Sequence, residues 1–482
     1  MLNLKIFIKG LCLTIVFQPV FSQPEIKYRL DSLSREYDKL NFHGVVLVAR
    51  GDSILYHGSY GYADLGKKTR LTPTTLFKME STGKMFTAVS IMQLVEKGKL
   101  QLTQTVKELL PGLAIKNADR ITVHHLLNHR SGLQSPWDHP DFNFKKVYTR
   151  SEMEKIISGI PLNFDEPGKE RYYSNSGYII LSWIIEKVSG LSFDNYLKGQ
   201  IFRPGEMNRI RHLDDTLMPS SEAQPYRLLN SKKYIASNET VGPKASGAGG
   251  WIGTANDLYQ FMLGLDKNIF IKPSTLEIMR TANHSNPRDS IYRYYAYGLE
   301  NFVNQPIKGV YYYGHSGGGA GFSIDAIIDP VSHYIIIFCN NTGSDARQIS
   351  ANYLRVALGI PANKIVLPQS IRIYDTIETI GIKEFVKNEK EIFQSMGITP
   401  QPRLFINVGE AMETAKDYAT MASWMELGAT YFPDDGFLQL VTGNAYSHLG
   451  EKEKSVIKYQ IAKTIAEKNK DQRMLSELKR KL

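Results

Sequence analysis

Ser81 and Lys84 stand three residues apart at the head of an apolar stretch, Met85-Phe86-Thr87-Ala88-Val89-Ser90-Ile91-Met92-Gln93-Leu94. Apolar residues recur there at three- and four-residue intervals, which predicts a buried helix beginning at Ser81. On such a helix the two side chains share one face of the first turn. A serine hydroxyl is a weak nucleophile until a base takes its proton, and lysine serves as that base only when desolvation lowers its pKa. An apolar helix start supplies the desolvation, and the Ser81 amide supplies an N–H for a developing oxyanion. Alone, the four-residue pattern reads more simply as a serine cap beside a solvated lysine. Other stretches have to decide.

Three of those stretches carry competing chemistry. His125 and His129 are spaced i, i+4 on a helix capped by Thr122, as two metal ligands would be. No Glu lies between them in metalloprotease register and no third ligand is evident, so they read as packing histidines and no metal is expected. Ser246-Gly247-Ala248-Gly249-Gly250-Trp251-Ile252-Gly253 has the look of a dinucleotide loop. No strand–helix–strand unit surrounds it and Thr254-Ala255-Asn256-Asp257 is a capping box, so it reads as a structural loop. Gly314-His315-Ser316-Gly317-Gly318 matches the G-x-S-x-G nucleophile elbow, which demands a helix next and then an acid and a histidine. A strand-like run follows instead, and the later histidines, His333 and His448, fall in the adjacent strand and in a helical tail. The elbow reading fails. A glycine-rich strand better suits a substrate lying along a sheet edge.

The elements that must position these residues follow from periodicity. A charged amphipathic helix is predicted at 25–40, then a hairpin with strands at 43–49 and 53–60 around Arg50-Gly51-Asp52. The Ser81 helix is stopped by Gly98. Arg171-Tyr172-Tyr173-Ser174-Asn175 forms a tight entry into an apolar helix, 178–188, ended by Gly190, which aims Tyr173 and Asn175 at a cleft. Tyrosines crowd 292–313, read chiefly as strand aromatics. Strands at 322–328 and 334–339 flank an Asp329-Pro330 turn. Strands at both ends of this unit with helices between predict an α+β layer fold whose antiparallel sheet joins the two ends. Beyond about residue 370 only helical patterns remain. Gly409 and Gly443 are 34 residues apart, with Met425 matching Tyr459 and Gly428 matching Ala462, the period of tetratricopeptide-like helix pairs.

Taken in order, Ser81-x-x-Lys84, Tyr173-x-Asn175 and His315-x-Gly317 resemble the serine β-lactamase and penicillin-binding-protein superfamily. The resemblance is to the branch with tyrosine in the second motif: class C β-lactamases, D-alanyl-D-alanine carboxypeptidases, D-aminopeptidases and related esterases. It covers roughly residues 30–345, includes Met92 to Leu100 and Ile121 to Leu133, and stops before the tail. The resemblance implies a β-lactamase/transpeptidase-like fold and an acyl-enzyme on Ser81. It also implies that Lys84 and Tyr173 exchange protons, with a phenolate stabilised by the ammonium. Asn175 would orient the substrate amide and Lys84, and the amides of Ser81 and Gly318 would form the oxyanion hole. His315, Ser316 and Gly317 would line the substrate strand. The third motif departs from the lysine usual in class C β-lactamases: a titratable imidazole replaces a permanent charge.

The expectation is therefore a serine hydrolase without cofactor, acting on an ester or a D-amino-acid-containing amide. The rival is a catalytically weak ligand-binding scaffold whose tail recruits a partner. The net charge of +10 is spread out, with ten Lys/Arg against five Asp/Glu in 451–482, and no nucleic-acid motif accompanies it. Lys5 and Lys9 around an apolar run, followed by Val20-Phe21-Ser22, predict a leader at 1–22 that is removed on export, leaving no membrane span. With Cys12 removed Cys339 stands alone, which fits a periplasmic or secreted protein without disulfides. The predicted organisation is a leader at 1–22, a hydrolase unit at 23–362 and a tetratricopeptide-like unit at 363–482 offering a protein-docking surface.

Overall fold

The computed structural model describes residues 23–144, 146–212, 222–237, 246–281, 293–319, 321–469 and 471–482. The expected leader lies outside them. The main sheet comprises β1 (Gly44–Arg50), β2 (Ser53–Tyr60), β3 (Arg293–Ala296), β4 (Leu299–Val303), β5 (Tyr311–Gly319), β6 (Phe322–Asp329) and β7 (Tyr334–Asn340). Its order is β3-β4-β5-β6-β7-β1-β2 and every pairing is antiparallel. β1 pairs with β7 in the register Val45↔Cys339 to Arg50↔Tyr334, so strands from near residue 45 and near residue 340 are joined in one sheet.

Strand alternation sends side chains to two separate cores. Val45, Leu47 and Ala49 join Ile335, Ile337 and Cys339 on one face. Val46 and Val48 join Ile336 and Phe338 on the other. The second face is covered by α1 (Gln23–Lys39), through Ile26, Leu30, Leu33 and Tyr37, and by a helix at Ala346–Ala357. The first is covered by α2 (Gly83–Glu96) and by α4 (Ala255–Asp266), with α3 (Asn175–Ser189) packed on α2 in the same core. α2 is buried at every position from Gly83 to Leu94. Such a helix is a core element with no solvent side, and it takes Lys84 inside with it.

With the Ala346–Ala357 helix as α5, the chain continues through α6 (Gln369–Ile380), α7 (Pro402–Thr414), α8 (Tyr418–Tyr431), α9 (Gly436–His448) and α10 (Lys452–Asn469). A Cβ on Gly409 would lie 2.5 Å from Met425 Sδ, and one on Gly443 would lie 2.5 Å from Tyr459 Cε1. The same close helix approach thus recurs at positions offset by the 34-residue period. This helical region leans on the preceding part of the chain. Leu229 and Ile235, from a hairpin with strands Tyr226–Asn230 and Lys233–Ala236, pack with Ile373, Tyr374 and Ile377 of α6. Ser231 donates to Asp375 Oδ1 from its amide at 2.9 Å and its hydroxyl at 3.0 Å.

A chain truncated after Ala362 should therefore keep its cleft but expose Leu229, which is 1% exposed in the full chain. Thermal unfolding and light scattering should show a lower Tm and more aggregation, and Leu229→Gln in the truncated chain should reduce the aggregation. Unchanged scattering would mean that the hairpin contact is incidental.

Candidate active site

Ser81 does not start the α-helix. It sits in a 3-10 turn, Glu80–Thr82, and α2 begins at Gly83. The turn is entered from a short strand, Phe77–Lys78, paired with Trp251–Gly253, and the Met79 amide donates to the Trp251 carbonyl at 2.8 Å. Glu80 takes φ +48°, a left-handed conformation that side chains other than glycine seldom adopt. Two glycines crowd the turn. A Cβ on Gly249 would lie 2.4 Å from the Glu80 carbonyl, and one on Gly317 would lie 2.5 Å from the Met79 carbonyl and 3.0 Å from the Ser81 amide nitrogen. β5 thus runs backbone to backbone against the turn, with the Gly317–Gly318 peptide beside Ser81.

Lys84 is fully buried, and its Nζ meets three acceptors: Ser81 Oγ at 3.0 Å, Asn175 Oδ1 at 2.7 Å and the Ala248 carbonyl at 2.7 Å. Two of these are carbonyl oxygens, which can only accept. They hold two N–H bonds, so the remaining valence of the nitrogen faces Ser81. In the ammonium that valence is an N–H, and in the amine it is a lone pair able to take the serine proton. Burial pushes the Lys84 pKa down to about 7, against a smaller upward pull from the Glu80 carboxylate. The lone-pair form is therefore well populated near neutral pH.

Ser174 caps α3 by accepting from the Gly177 amide, which presents Tyr173 and Asn175 to the cleft. The Asn175 amide and its Nδ2 both donate to Ser135 Oγ, at 3.1 and 3.0 Å, so Oδ1 is turned toward Lys84. Lys84 Nζ lies over the face of the Tyr173 ring, 4.9 Å from its centroid. Burial raises the Tyr173 pKa well above its usual value, with a hydrogen bond to Ser81 opposing it. Tyr173 is thus a phenol here, and the phenolate–ammonium pair implied by the resemblance is not the resting arrangement.

His315 is buried, with Nε2 3.2 Å from the Tyr295 hydroxyl and Nδ1 2.5 Å from the Ser316 carbonyl. Burial pushes its pKa down to about 4, more than the Glu300 carboxylate pulls it up, so the imidazole is neutral at pH 7. Ser316 turns its hydroxyl to Glu300 Oε2 at 3.2 Å. Ser81, Tyr173, Tyr295, Ser316 and Gly318 all line one cleft of about 610 Å³. Asn175 and Lys84 lie beneath it. The cleft-facing Tyr294 and Tyr295 show that part of the tyrosine cluster is lining and not sheet packing alone.

Sequence reasoning assigned His129 and the 246–253 loop packing or structural roles alone, yet both help to hold the site. His129, at φ +59°, accepts from the Ser174 amide at Nδ1 (3.1 Å) and through its carbonyl from the Tyr172 amide (2.9 Å). Its ring packs 4.2 Å from that of Tyr173, so this packing histidine also seats the second motif. His125 closes a capping box with Thr122. Among the described residues no cluster of three His, Cys, Asp or Glu side chains could hold a metal ion. Ala248, in the 246–253 loop, holds Lys84 through a backbone carbonyl that no side-chain pattern reveals.

A lysine-held serine with a glycine strand at its amide, on a two-ended antiparallel sheet, defines a serine hydrolase that works through an acyl-enzyme. Residues 30–359 match the beta-lactamase family, and the chain belongs to it. A penicillin-binding protein of Bacillus subtilis (strain 168) is 31% identical over 328 residues, 65% of this chain and 71% of that protein. Two solved structures share the fold. A penicillin-binding protein from Bacillus halodurans superposes with a TM-score of 0.59 at 24% identity, covering 67% of this chain and 97% of its own. The D-amino acid amidase from Ochrobactrum anthropi SV3, complexed with D-phenylalanine, gives 0.60 at 21%, covering 69% and 99%.

Gly317→Ala should push β5 away from the Ser81 turn. Ester hydrolysis should fall by about 10²-fold or more, the scale of losing one oxyanion donor, while circular dichroism stays native. Full activity in this variant would show that the close approach has no role in the reaction.

Proposed function

We propose that Ser81 is the acylated nucleophile of a hydrolase acting on an ester or a D-amino-acid-containing amide. The observation that carries this reading is the Lys84 nitrogen, pinned by Asn175 and Ala248 so that its third valence meets Ser81 Oγ at 3.0 Å. Lys84, as the amine, takes the serine proton while Oγ bonds to the substrate carbonyl carbon. The oxyanion accepts from the amides of Ser81 and Gly318. As the tetrahedral intermediate collapses, the leaving group departs with a proton relayed from Lys84 through the Tyr173 phenol, and water later cleaves the acyl-enzyme. Asn175 holds Lys84 and the substrate amide, and the Gly317–Gly318 strand receives the substrate backbone. The penicillin-binding relative supports an amide-type acyl donor, since penicillin is a lactam.

The reading extends to an exported protein whose leader is 1–22, whose hydrolase unit is 23–362 and whose helical unit, 363–482, docks a protein partner. The apolar run near the N-terminus and the repeated Gly409–Met425 and Gly443–Tyr459 contacts support those assignments. Among the described residues no helix is long and apolar enough to cross a membrane.

A fluorophosphonate adduct should map by mass spectrometry to the tryptic peptide ending at Lys84. Ser81→Ala should abolish labelling and turnover together, whereas Ser316→Ala should still label. An adduct on Ser316 that survives Ser81→Ala would overturn the assignment.

The pH profile tests the base. With the Lys84 pKa lowered to about 7, the amine fraction and the acylation rate should climb as pH rises through that value. His129 and His315 are held neutral by burial across this range, whereas the buried Asp325 carboxyl, its pKa raised to about 7, titrates within it, so the rise should persist in Asp325→Asn. Lys84→Arg stays charged throughout, so its profile should be flat and its rate lower by about 10²–10⁴-fold, the usual scale of general-base catalysis. A wild-type rate independent of pH between about 6 and 8 would remove Lys84 from the role of base.

A further inference from the structure

One wall of the cleft is organised around an internal carboxylate. Glu300 lies on β4 opposite Gly314 of β5, and its side chain, only 11% exposed, reaches along β5 to Ser316. Glu300 Oε2 accepts from the Ser316 hydroxyl at 3.2 Å, the Ser316 amide at 3.4 Å and Arg347 Nε at 3.2 Å. Glu300 Oε1 accepts from the second guanidinium arm of Arg347, closing a two-pronged ion pair. Asp345, which caps α5, adds negative charge near the same guanidinium. Asp325, paired with Ser316 across β5 and β6, has its pKa pushed up to about 7 by burial and is only partly ionised at neutral pH.

These are the donors that a substrate carboxylate lying beside the third motif would need. A serine hydroxyl has one proton to give, and an ionised carboxylate accepts only. Glu300 takes that proton, the Ser316 amide and two N–H groups of the Arg347 fork, at Nε and Nη2. His315, the remaining polar side chain of the motif, is buried as a neutral ring and supplies no charge. The cation at this wall is Arg347, and it is paired with Glu300.

We propose that Glu300 is a specificity-determining residue that stands where a substrate's free carboxylate would bind, so that this enzyme selects acyl donors without one. Esters and carboxyl-blocked amides are favoured, and peptides or bicyclic lactams ending in a free acid are disfavoured. The inference rests on the acyl-enzyme reading above and names the substrate class of that same site. A bound free acid would meet the Glu300 charge and have to displace it from Arg347. A neutral donor meets neither demand.

The test uses one acyl group in two charge states, benzylpenicillin and its methyl ester, with acylation of Ser81 in the full-length protein followed by intact mass spectrometry. The wild-type protein should acylate faster with the methyl ester than with the free acid. Glu300→Gln, which keeps shape and leaves Arg347 unmatched, should shift the ratio of rates toward the free acid by roughly tenfold, the scale of one charge-assisted hydrogen-bond pair. Glu300→Gln/Arg347→Gln should cancel the shift. A wild-type preference for the free acid overturns the inference and needs no variant. So does a ratio unchanged within twofold in a Glu300→Gln protein that still takes the fluorophosphonate on Ser81. Absence of that adduct from the wild-type protein would instead remove the acyl-enzyme reading, so the two failures are distinguishable.

Discussion

Lys84 is held at 0% exposure with its amine shared among Ser81, Asn175 and Ala248, all within 3.0 Å. Taking an ammonium out of water costs several kcal/mol, and the cost appears here as a pKa lowered to about 7. The amine form relieves that cost and is also the form that can take a proton. Stability and chemistry therefore pull the same group in the same direction. The two carbonyl acceptors come from residues 91 and 164 positions away in the chain, so three distant segments must converge before the lysine has any defined orientation. α2, buried on every side from Gly83 to Leu94, is the post around which they do so.

The second demand is close backbone approach. An oxyanion is best stabilised by amides fixed in advance, since nothing then has to reorganise as charge develops. The Ser81 turn and β5 come so near that a methyl group at Gly317 would collide with Met79 and Ser81. Gly249 makes the same approach from the opposite loop, and Glu80 is left with a strained φ of +48°. Such strain persists only where the surroundings over-determine the backbone, and here two glycine contacts and the Met79–Trp251 hydrogen bond do so.

Charge in the cleft is balanced internally. His129 lies 4.2 Å from the Tyr173 ring and 4.6 Å from the Tyr295 ring, and burial keeps it neutral with Lys84 reinforcing the effect. His315 is neutral for the same reason, and Arg347 is tied to Glu300. Lys84 and the buried Asp325 carboxyl, whose pKa burial raises to about 7, are left as groups whose charge changes near pH 7, and of the two it is Lys84 that meets Ser81.

Much of this was legible in the chain because it is local. The facing of Ser81 and Lys84 depends on three residues of spacing. The Thr122 cap, the Thr254 capping box, the helix end at Gly190 and the β1–β2 hairpin depend on four or fewer. The 34-residue offset of Gly409 and Gly443 likewise appears as one repeated contact. Tertiary structure alone decided that Ser81 occupies a 3-10 turn ahead of the helix, that Tyr173 rests as a phenol and that His315 is uncharged. It also decided that Ser316 is committed to Glu300. The physical reason is the same in each case. Periodicity records which face of an element is apolar, but a pKa is set by burial, and a hydrogen bond by whichever atoms arrive from elsewhere. Ala248 is the clearest example: it holds the catalytic candidate through a carbonyl that every residue type possesses, so nothing in its identity could announce it.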